Sequence, residues 1–213
     1  MLKINGISKT FVIKKKTYRI LEKIHLDINT GDIFGLIGKT GSGKTTLLRI
    51  MNGFLKADNE ENIIRKFTRM ESSMIFQHFN LLHNLNVFDN AALPLKLRKI
   101  TNKDIDHKIN NLLQMFGLLE IKNAYPKILS GGQKQRLAIV RSLSILPKII
   151  FCDEPTSALD EETSQDILKI IKEINQRYKT TIVFVSHDMK IIQNLCNKIA
   201  ILEKGLIIKQ MHI

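Results

Sequence analysis

The stretch Gly38-Lys39-Thr40-Gly41-Ser42-Gly43-Lys44-Thr45 constrains this chain more than any other. It follows the almost wholly apolar run Ile33-Phe34-Gly35-Leu36-Ile37, the mark of a strand buried on both faces of a parallel sheet. It precedes Thr45-Thr46-Leu47-Leu48-Arg49-Ile50-Met51, which reads as a helix. Strand, glycine-rich loop and helix open an α/β unit whose loop takes up phosphate. Glycines let backbone N–H groups turn inward and approach phosphate oxygens closely. The helix behind them presents its N-terminal donors and dipole to the same anion. Lys44 supplies a full positive charge, and the Thr45 hydroxyl can ligand Mg²⁺. By itself the motif says nucleotide binding and nothing about purpose.

The rest of the chain predicts one α/β core. Residues 2–8 and 24–28 alternate apolar and polar, the period of half-buried strands. Two further apolar runs, Ile149-Ile150-Phe151-Cys152 and Thr181-Ile182-Val183-Phe184-Val185, read as buried strands, with an amphipathic helix from Ile167 to Tyr178 between them. Ile199–Leu202 and Leu206–Ile208, separated by Lys204-Gly205, predict a closing hairpin. From about Asn84 to Lys127 the pattern is helical instead. Ile105, Ile109, Leu112, Leu113 and Phe116 recur at helical spacing, with Gly117 as the C-terminal stop. A mainly helical lobe inserted into the core is therefore expected.

The apolar run ending at Cys152 leads into Asp153-Glu154. An acid at the C-terminal edge of a parallel strand, beside a phosphate loop, is placed to hold Mg²⁺, and that role falls to Asp153. Glu154 points elsewhere and is the natural general base for an attacking water. Two adjacent acids would also suit a helix N-terminus, and the phosphate loop tips the reading to catalysis. Upstream, Leu129-Ser130-Gly131-Gly132-Gln133 opens a helix running from Gln133 to Leu143. A serine hydroxyl, flexible backbone donors and a helix dipole make a second anion site. Two such sites in one chain make sense if the chain dimerises and each copy closes its second site over its partner's nucleotide.

Charge narrows the partners less than its size suggests. The net charge is +13 over 213 residues, yet the basic residues are spread along the chain. Only Lys14-Lys15-Lys16 is a tight cluster, and it reads as an exposed loop. Anionic lipid headgroups are the best functional match for the charge, and nucleic acid is disfavoured. No apolar run approaches the roughly 18 residues a membrane-spanning helix needs. Cys152 and Cys196 lie far apart without metal-ligand spacing, so a reducing cytoplasm is the default.

With these motifs in order, the sequence resembles the ATP-binding cassette family along essentially its whole length. The resemblance implies a P-loop NTPase core with a small antiparallel β lobe and a helical lobe at approximately 84–135, in one domain spanning 1–213. It implies ATP contacts from Phe11, from Gly38, Lys39, Thr40, Gly41, Ser42, Gly43, Lys44, Thr45 and Thr46, and from Gln77 and His187. Phe11 matches the aromatic that stacks on adenine, with Tyr18 as the weaker candidate. Gln77, in Ile75-Phe76-Gln77-His78-Phe79, matches the glutamine that contacts Mg²⁺ alongside Thr45 and Asp153 and reports on the membrane partner. Ser130, Gly131, Gly132 and Gln133 match the signature that binds the γ-phosphate held by the opposite subunit. Ser157-Ala158-Leu159-Asp160 matches the loop crossing the dimer interface, and His187 the switch histidine, which joins Glu154 and Lys44 as catalytic residues.

Within that family, Phe76-Gln77-His78-Phe79-Asn80-Leu81-Leu82 and Ala92-Leu93-Pro94-Leu95 are similar to methionine-import ATP-binding proteins; related lipoprotein-release and cell-division cassettes share Leu81-Leu82 and Ala92-Leu93-Pro94-Leu95, which makes a lipoprotein-release or other export or cell-envelope complex the alternative. The expectation is an ATPase at the cytoplasmic face of the membrane, homodimeric, with integral permease subunits and a substrate-binding lipoprotein. Two-cassette proteins acting on ribosomes or DNA, and P-loop kinases, fit the motif set less well. Two departures stand out. The stretch from Lys44 to Gln77 is short, with Asp58-Asn59-Glu60-Glu61-Asn62 where the family has a strand and glycine, so a trimmed antiparallel lobe is expected. The sequence also stops soon after Ile208, predicting no C-terminal regulatory domain and no amino-acid feedback through this chain.

Overall fold

The structure is a computed structural model that describes residues 1–213, all but residue 102 with their side chains. Its strands are β1 (Leu2–Ile13), β2 (Lys16–Ile28), β3 (Ile33–Ile37), β4 (Ile63–Arg65), β5 (Ser72–Ile75), β6 (Ile149–Asp153), β7 (Thr181–Ser186), β8 (Lys198–Glu203) and β9 (Leu206–His212). Its α-helices are α1 (Lys44–Met51), α2 (Val87–Leu97), α3 (Asn102–Met115), α4 (Gly131–Leu143), α5 (Glu161–Tyr178) and α6 (Met189–Leu195). The chain divides into two compact units, one of residues 1–74, 148–154 and 172–213, the other of residues 75–147 and 155–171.

In the first unit the six-stranded sheet has the order β5-β6-β7-β3-β8-β9. β3 lies between β7 and β8, parallel to both, and β6 is parallel to β7. Every residue of β3, β6 and β7 is buried, so the apolar runs are as continuous as a sheet covered on both faces demands. β9 turns back antiparallel to β8 through Lys204-Gly205. Phe34, Phe151 and Phe184 are among the largest fully buried side chains. Burying one such ring stabilises by roughly 1.5–3 kcal/mol relative to leaving it exposed.

The antiparallel sheet has the order β2-β1-β4. Its first two strands run well past the alternating segments at 2–8 and 24–28, because Lys14 and Lys15 take φ values of +49° and +64° and close a two-residue hairpin turn. The short segment after Gly53 does supply a third strand, the three-residue β4. The Asn59 carboxamide holds its approach, accepting from Ser8 N at 2.9 Å and donating to Gly6 O at 2.9 Å. Arg65 then pairs with Glu60 at 2.7 Å and donates to Met51 O at 3.0 Å, tying β4 to the end of α1.

The second unit holds α2, α3 and α4. Ile105, Ile109, Leu112, Leu113 and Phe116 are all buried, the face their spacing predicts, and Gly117 follows at φ +65°. Asn86 caps α2 by accepting from Asp89 N at 2.7 Å. Asn90, fully buried one turn on, accepts from Leu82 N at 2.9 Å and donates to Leu82 O and Leu85 O, so the approach to α2 is fixed by one carboxamide. No helix among the described residues is long and apolar enough to cross a membrane.

Candidate nucleotide site

β3 ends at Ile37 and α1 begins at Lys44, so the glycine-rich loop leaves the sheet at its C-terminal edge, beside the strand to which β3 pairs. Gly43 stands just before α1 at φ +105°, a conformation that only glycine adopts without strain. The Lys44 side chain is nearly buried and folds back over the loop. Its Nζ donates to Gly38 O at 2.8 Å and to Lys39 O at 3.2 Å, so the ammonium sits over the loop's own backbone. The buried Ser42 Oγ has no hydrogen-bond partner among the described residues. A buried hydroxyl is satisfied in most proteins, and an orphaned one inside a phosphate loop fits a phosphate or its water.

Thr45, the first turn of α1, donates from Oγ1 to Asp153 Oδ1 at 3.2 Å. Burial pushes the Asp153 carboxyl up from the ordinary range; the Thr45 hydrogen bond opposes this, and the Glu154 charge adds to it. A hydroxyl and a buried carboxylate in contact are hard oxygen donors that suit Mg²⁺. No cluster of three or more His, Cys, Asp or Glu ligands exists among the described residues.

Glu154 leaves the strand. Its φ of +49° is uncommon for a side chain with a Cβ, and its N–H donates to Val185 O at 3.1 Å. The two neighbouring carboxylates have different partners. One oxygen, Oε1, lies 3.5 Å from Lys44 Nζ, and the other, Oε2, lies 3.0 Å from His187 Nδ1. His187 follows β7 and is exposed; Asp188 behind it caps α6 by accepting from Lys190 N at 2.8 Å. Lys44, Thr45, Asp153, Glu154 and His187 are thus brought together in the first unit. Phe11 and Tyr18 face each other across β1 and β2, with Lys9 Nζ 5.3 Å from the Phe11 ring centre. Cys152 and Cys196 are both buried and free, and burial holds both thiols far above the usual range.

The second unit carries the remaining motifs. α4 starts two residues earlier than Gln133, because Ser130 and Gln133 form a reciprocal cap: Ser130 Oγ accepts from Gln133 N at 3.2 Å and Gln133 Oε1 accepts from Ser130 N at 2.9 Å. Accepting in the cap leaves the Ser130 hydroxyl proton to donate to an anion. Asp160 accepts from Thr163 N and Thr163 Oγ1, both at 2.8 Å, which depresses its carboxyl and fixes the start of α5. Thr163 in turn packs so close to Gly132 that a Cβ there would come within 2.7 Å of its methyl. The Ser157–Asp160 loop and the Ser130–Gln133 turn are therefore one packed feature.

Gln77 is exposed and heads a cleft of about 360 Å³ bordered by His78, Asn80, Pro126 and Lys134. Sequence reasoning missed what holds that cleft's rim. Arg141, in the last turn of α4, donates to Asn80 O at 2.7 Å and to Phe79 O at 2.9 Å. Phe79 and Asn80 both have positive φ, +35° and +49°, and the guanidinium fork spans their carbonyls. The only sequence signal for this contact would have been the helical placement of Arg141, which by itself points nowhere.

Residues 21–157 match the ABC transporter family. The chain is 44% identical over 215 residues to the methionine import ATP-binding protein MetN of Clostridium tetani, covering 95% of this chain and 66% of that protein. It is 42% identical over 224 residues to MetN of Histophilus somni, covering 99% of this chain and 64% of that one. The chain thus spans a little under two-thirds of the length of these relatives, 64–66%. In three dimensions it is similar to the ATP-binding cassette MJ0796, in a dimeric post-hydrolysis state bound to ADP and Pi, with a TM-score of 0.89, 28% identity, and coverage of 100% of this chain and 98% of that one. The fold is accordingly an α/β nucleotide-binding cassette, and the chain belongs to the ABC transporter family.

Proposed function

We propose that this chain is the ATP-hydrolysing subunit of an ABC transporter, acting as a homodimer at the cytoplasmic face of the membrane to energise import of methionine or a related amino acid. The observation that carries the reading is the pair of anion-binding helix starts, α1 behind the glycine-rich loop and α4 behind the Ser130 cap. A single nucleotide needs one of them. Two copies meeting face to face use both, each supplying Ser130, Gly131, Gly132 and Gln133 to the γ-phosphate bound at its partner's Lys44. The likeness to a dimeric cassette supports that arrangement, and the identity to two methionine-import proteins supports the solute.

The residues divide the work. Backbone N–H groups of 38–45 and the Lys44 ammonium bind the β- and γ-phosphates. Thr45 and Asp153 would hold Mg²⁺, which supplies positive charge to the phosphate oxygens when bound. Glu154 orients the attacking water and accepts its proton on a carboxylate oxygen. His187 donates toward the γ-phosphate side and holds the Glu154 carboxylate in place. Closure is favoured because only the closed dimer satisfies the γ-phosphate from both sides, and its loss after hydrolysis opens the dimer. The exposed Gln77 cleft is the surface through which permease subunits would feel that motion, with a lipoprotein delivering the solute outside.

Uptake of labelled methionine tests the reading. Cells carrying this chain with its permease subunits should accumulate methionine, and the Glu154→Gln variant should abolish the accumulation. Uptake unaffected by that variant, or ATP-dependent release of lipoprotein from membranes in its place, would reject import of methionine.

A further inference from the structure

The phosphate loop is braced from outside by the β8–β9 hairpin, and we propose that Gly205, in its turn, is a positioning residue for nucleotide binding. Gly205 N donates to Ser42 O at 3.1 Å, and Gly205 O accepts from Glu22 N at 2.9 Å. One buried residue therefore bridges the phosphate loop and β2. The first bond matters for the chemistry because the peptide joining Ser42 to Gly43 is planar and trans. Anchoring its carbonyl on the outside points its N–H, that of Gly43, the opposite way, toward the phosphates. The same hairpin meets the loop a second time, since a Cβ on Gly38 would overlap the Leu202 carbonyl oxygen. The same β2 segment that lies against Gly205 also closes on the loop, since a Cβ on Gly43 would come within 2.9 Å of Leu21 Cδ2.

Turn chemistry alone does not account for a glycine at 205. Lys204 and Gly205 take φ values of +47° and +80°, the two-residue hairpin geometry. Lys14 and Lys15 take the corresponding pair of values at the β1–β2 turn, with no glycine. The difference between the turns is proximity: a Cβ at 205 would overlap the Ile20 carbonyl oxygen and crowd Leu21 Cα. A side chain at 205 must push the turn away from β2 and draw the Ser42 carbonyl with it. The inference rests on nucleotide binding by the 38–45 loop and is independent of the solute transported.

The test compares Gly205→Ala with Gly31→Ala. Gly31 has φ +82° and open space where a Cβ would stand, so alanine there meets the backbone strain without touching the loop. Affinity is read with a fluorescent ATP derivative and stability with denaturant. Gly205→Ala is expected to weaken nucleotide binding about tenfold or more, while Gly31→Ala loses stability but stays within about twofold of the parent. Equal binding by Gly205→Ala and the parent, or an equal loss in both variants, overturns the proposal. A parent that binds no ATP sinks the site reading as well, which separates the two failures. Should Gly205→Ala not fold, hydrogen exchange of the parent decides: ATP must slow exchange at the amide of Gly205 several-fold and leave that of Lys15 unchanged, and no slowing at Gly205 rejects the brace.

Discussion

The Lys44 ammonium stands 3.5 Å from Glu154 Oε1, while His187 stands 3.0 Å from Oε2 of the same carboxylate. The group read as the general base is therefore held at both oxygens, one by the lysine that opens α1 and one by the residue that follows β7. It sits on a left-handed backbone, φ +49° at Glu154, one residue after Asp153, the candidate metal ligand. Adjacent acids thus meet different partners, Thr45 for Asp153 and Lys44 with His187 for Glu154.

His187→Ala removes the contact on Oε2 and leaves Lys44 in place. ATP affinity is expected to stay within about threefold of the parent, whereas kcat should fall by about 10²–10³, the range for loss of a positioned proton-transfer or charge-stabilising group. Steady-state ATP hydrolysis with a separate binding titration makes the comparison. A fall in affinity matching the fall in turnover would place His187 in ground-state binding instead.

Arg141→Ala should loosen the rim of the Gln77 cleft. The variant loses two charge-assisted hydrogen bonds to Phe79 O and Asn80 O, so a cost of about 1–3 kcal/mol is expected. Hydrogen exchange over residues 77–83 should accelerate more than exchange in α2, and Arg141→Lys, which keeps the charge but not the fork, should recover part of the protection. Uniform acceleration across the second unit would mean that Arg141 acts through general packing.

Glu71 offers a pH test away from the nucleotide. Lys148 lies 2.5 Å from its carboxylate, and this hydrogen bond, with that from Thr68 N, lowers its pKa from an ordinary 4.5 to about 2. A depressed carboxyl stabilises the fold above its unfolded pKa and loses that contribution as pH falls through the folded value. The stability difference between the parent and Glu71→Gln should be constant above about pH 4.5 and shrink progressively toward pH 2, as read from denaturant midpoints. A difference that does not change over that window would show that the pair is not formed in solution.

Much of this was legible in the sequence, for reasons that differ by residue. The runs at 33–37, 149–152 and 181–185 announce themselves because strands buried on both faces have no polar side, and Gly38–Thr45 because phosphate contact limits residue choice at successive positions. The lengths of β1 and β2 were not legible: Lys14 and Lys15 carry no turn signature, and their positive φ values come from strand pairing on either side. β4 and β5 were missed since strands of three and four residues are too short to show a period. Among the site's supports, Arg141 and Gly205 act on residues far off in sequence, Asn80 and Ser42, and no local pattern encodes such a pairing. The reciprocal cap at Ser130 was partly visible, and only the structure shows that it moves the start of α4 back to Gly131.

The most direct measurement is the size of purified Glu154→Gln protein with and without ATP and magnesium, by light scattering coupled to gel filtration. Blocking proton abstraction while leaving Lys44 and Ser130 intact should trap a dimer holding two ATP molecules, and removing ATP should return single chains of 24.4 kDa. A variant that binds ATP yet stays a single chain throughout, even with permease subunits present, would contradict the shared nucleotide pocket on which the account stands.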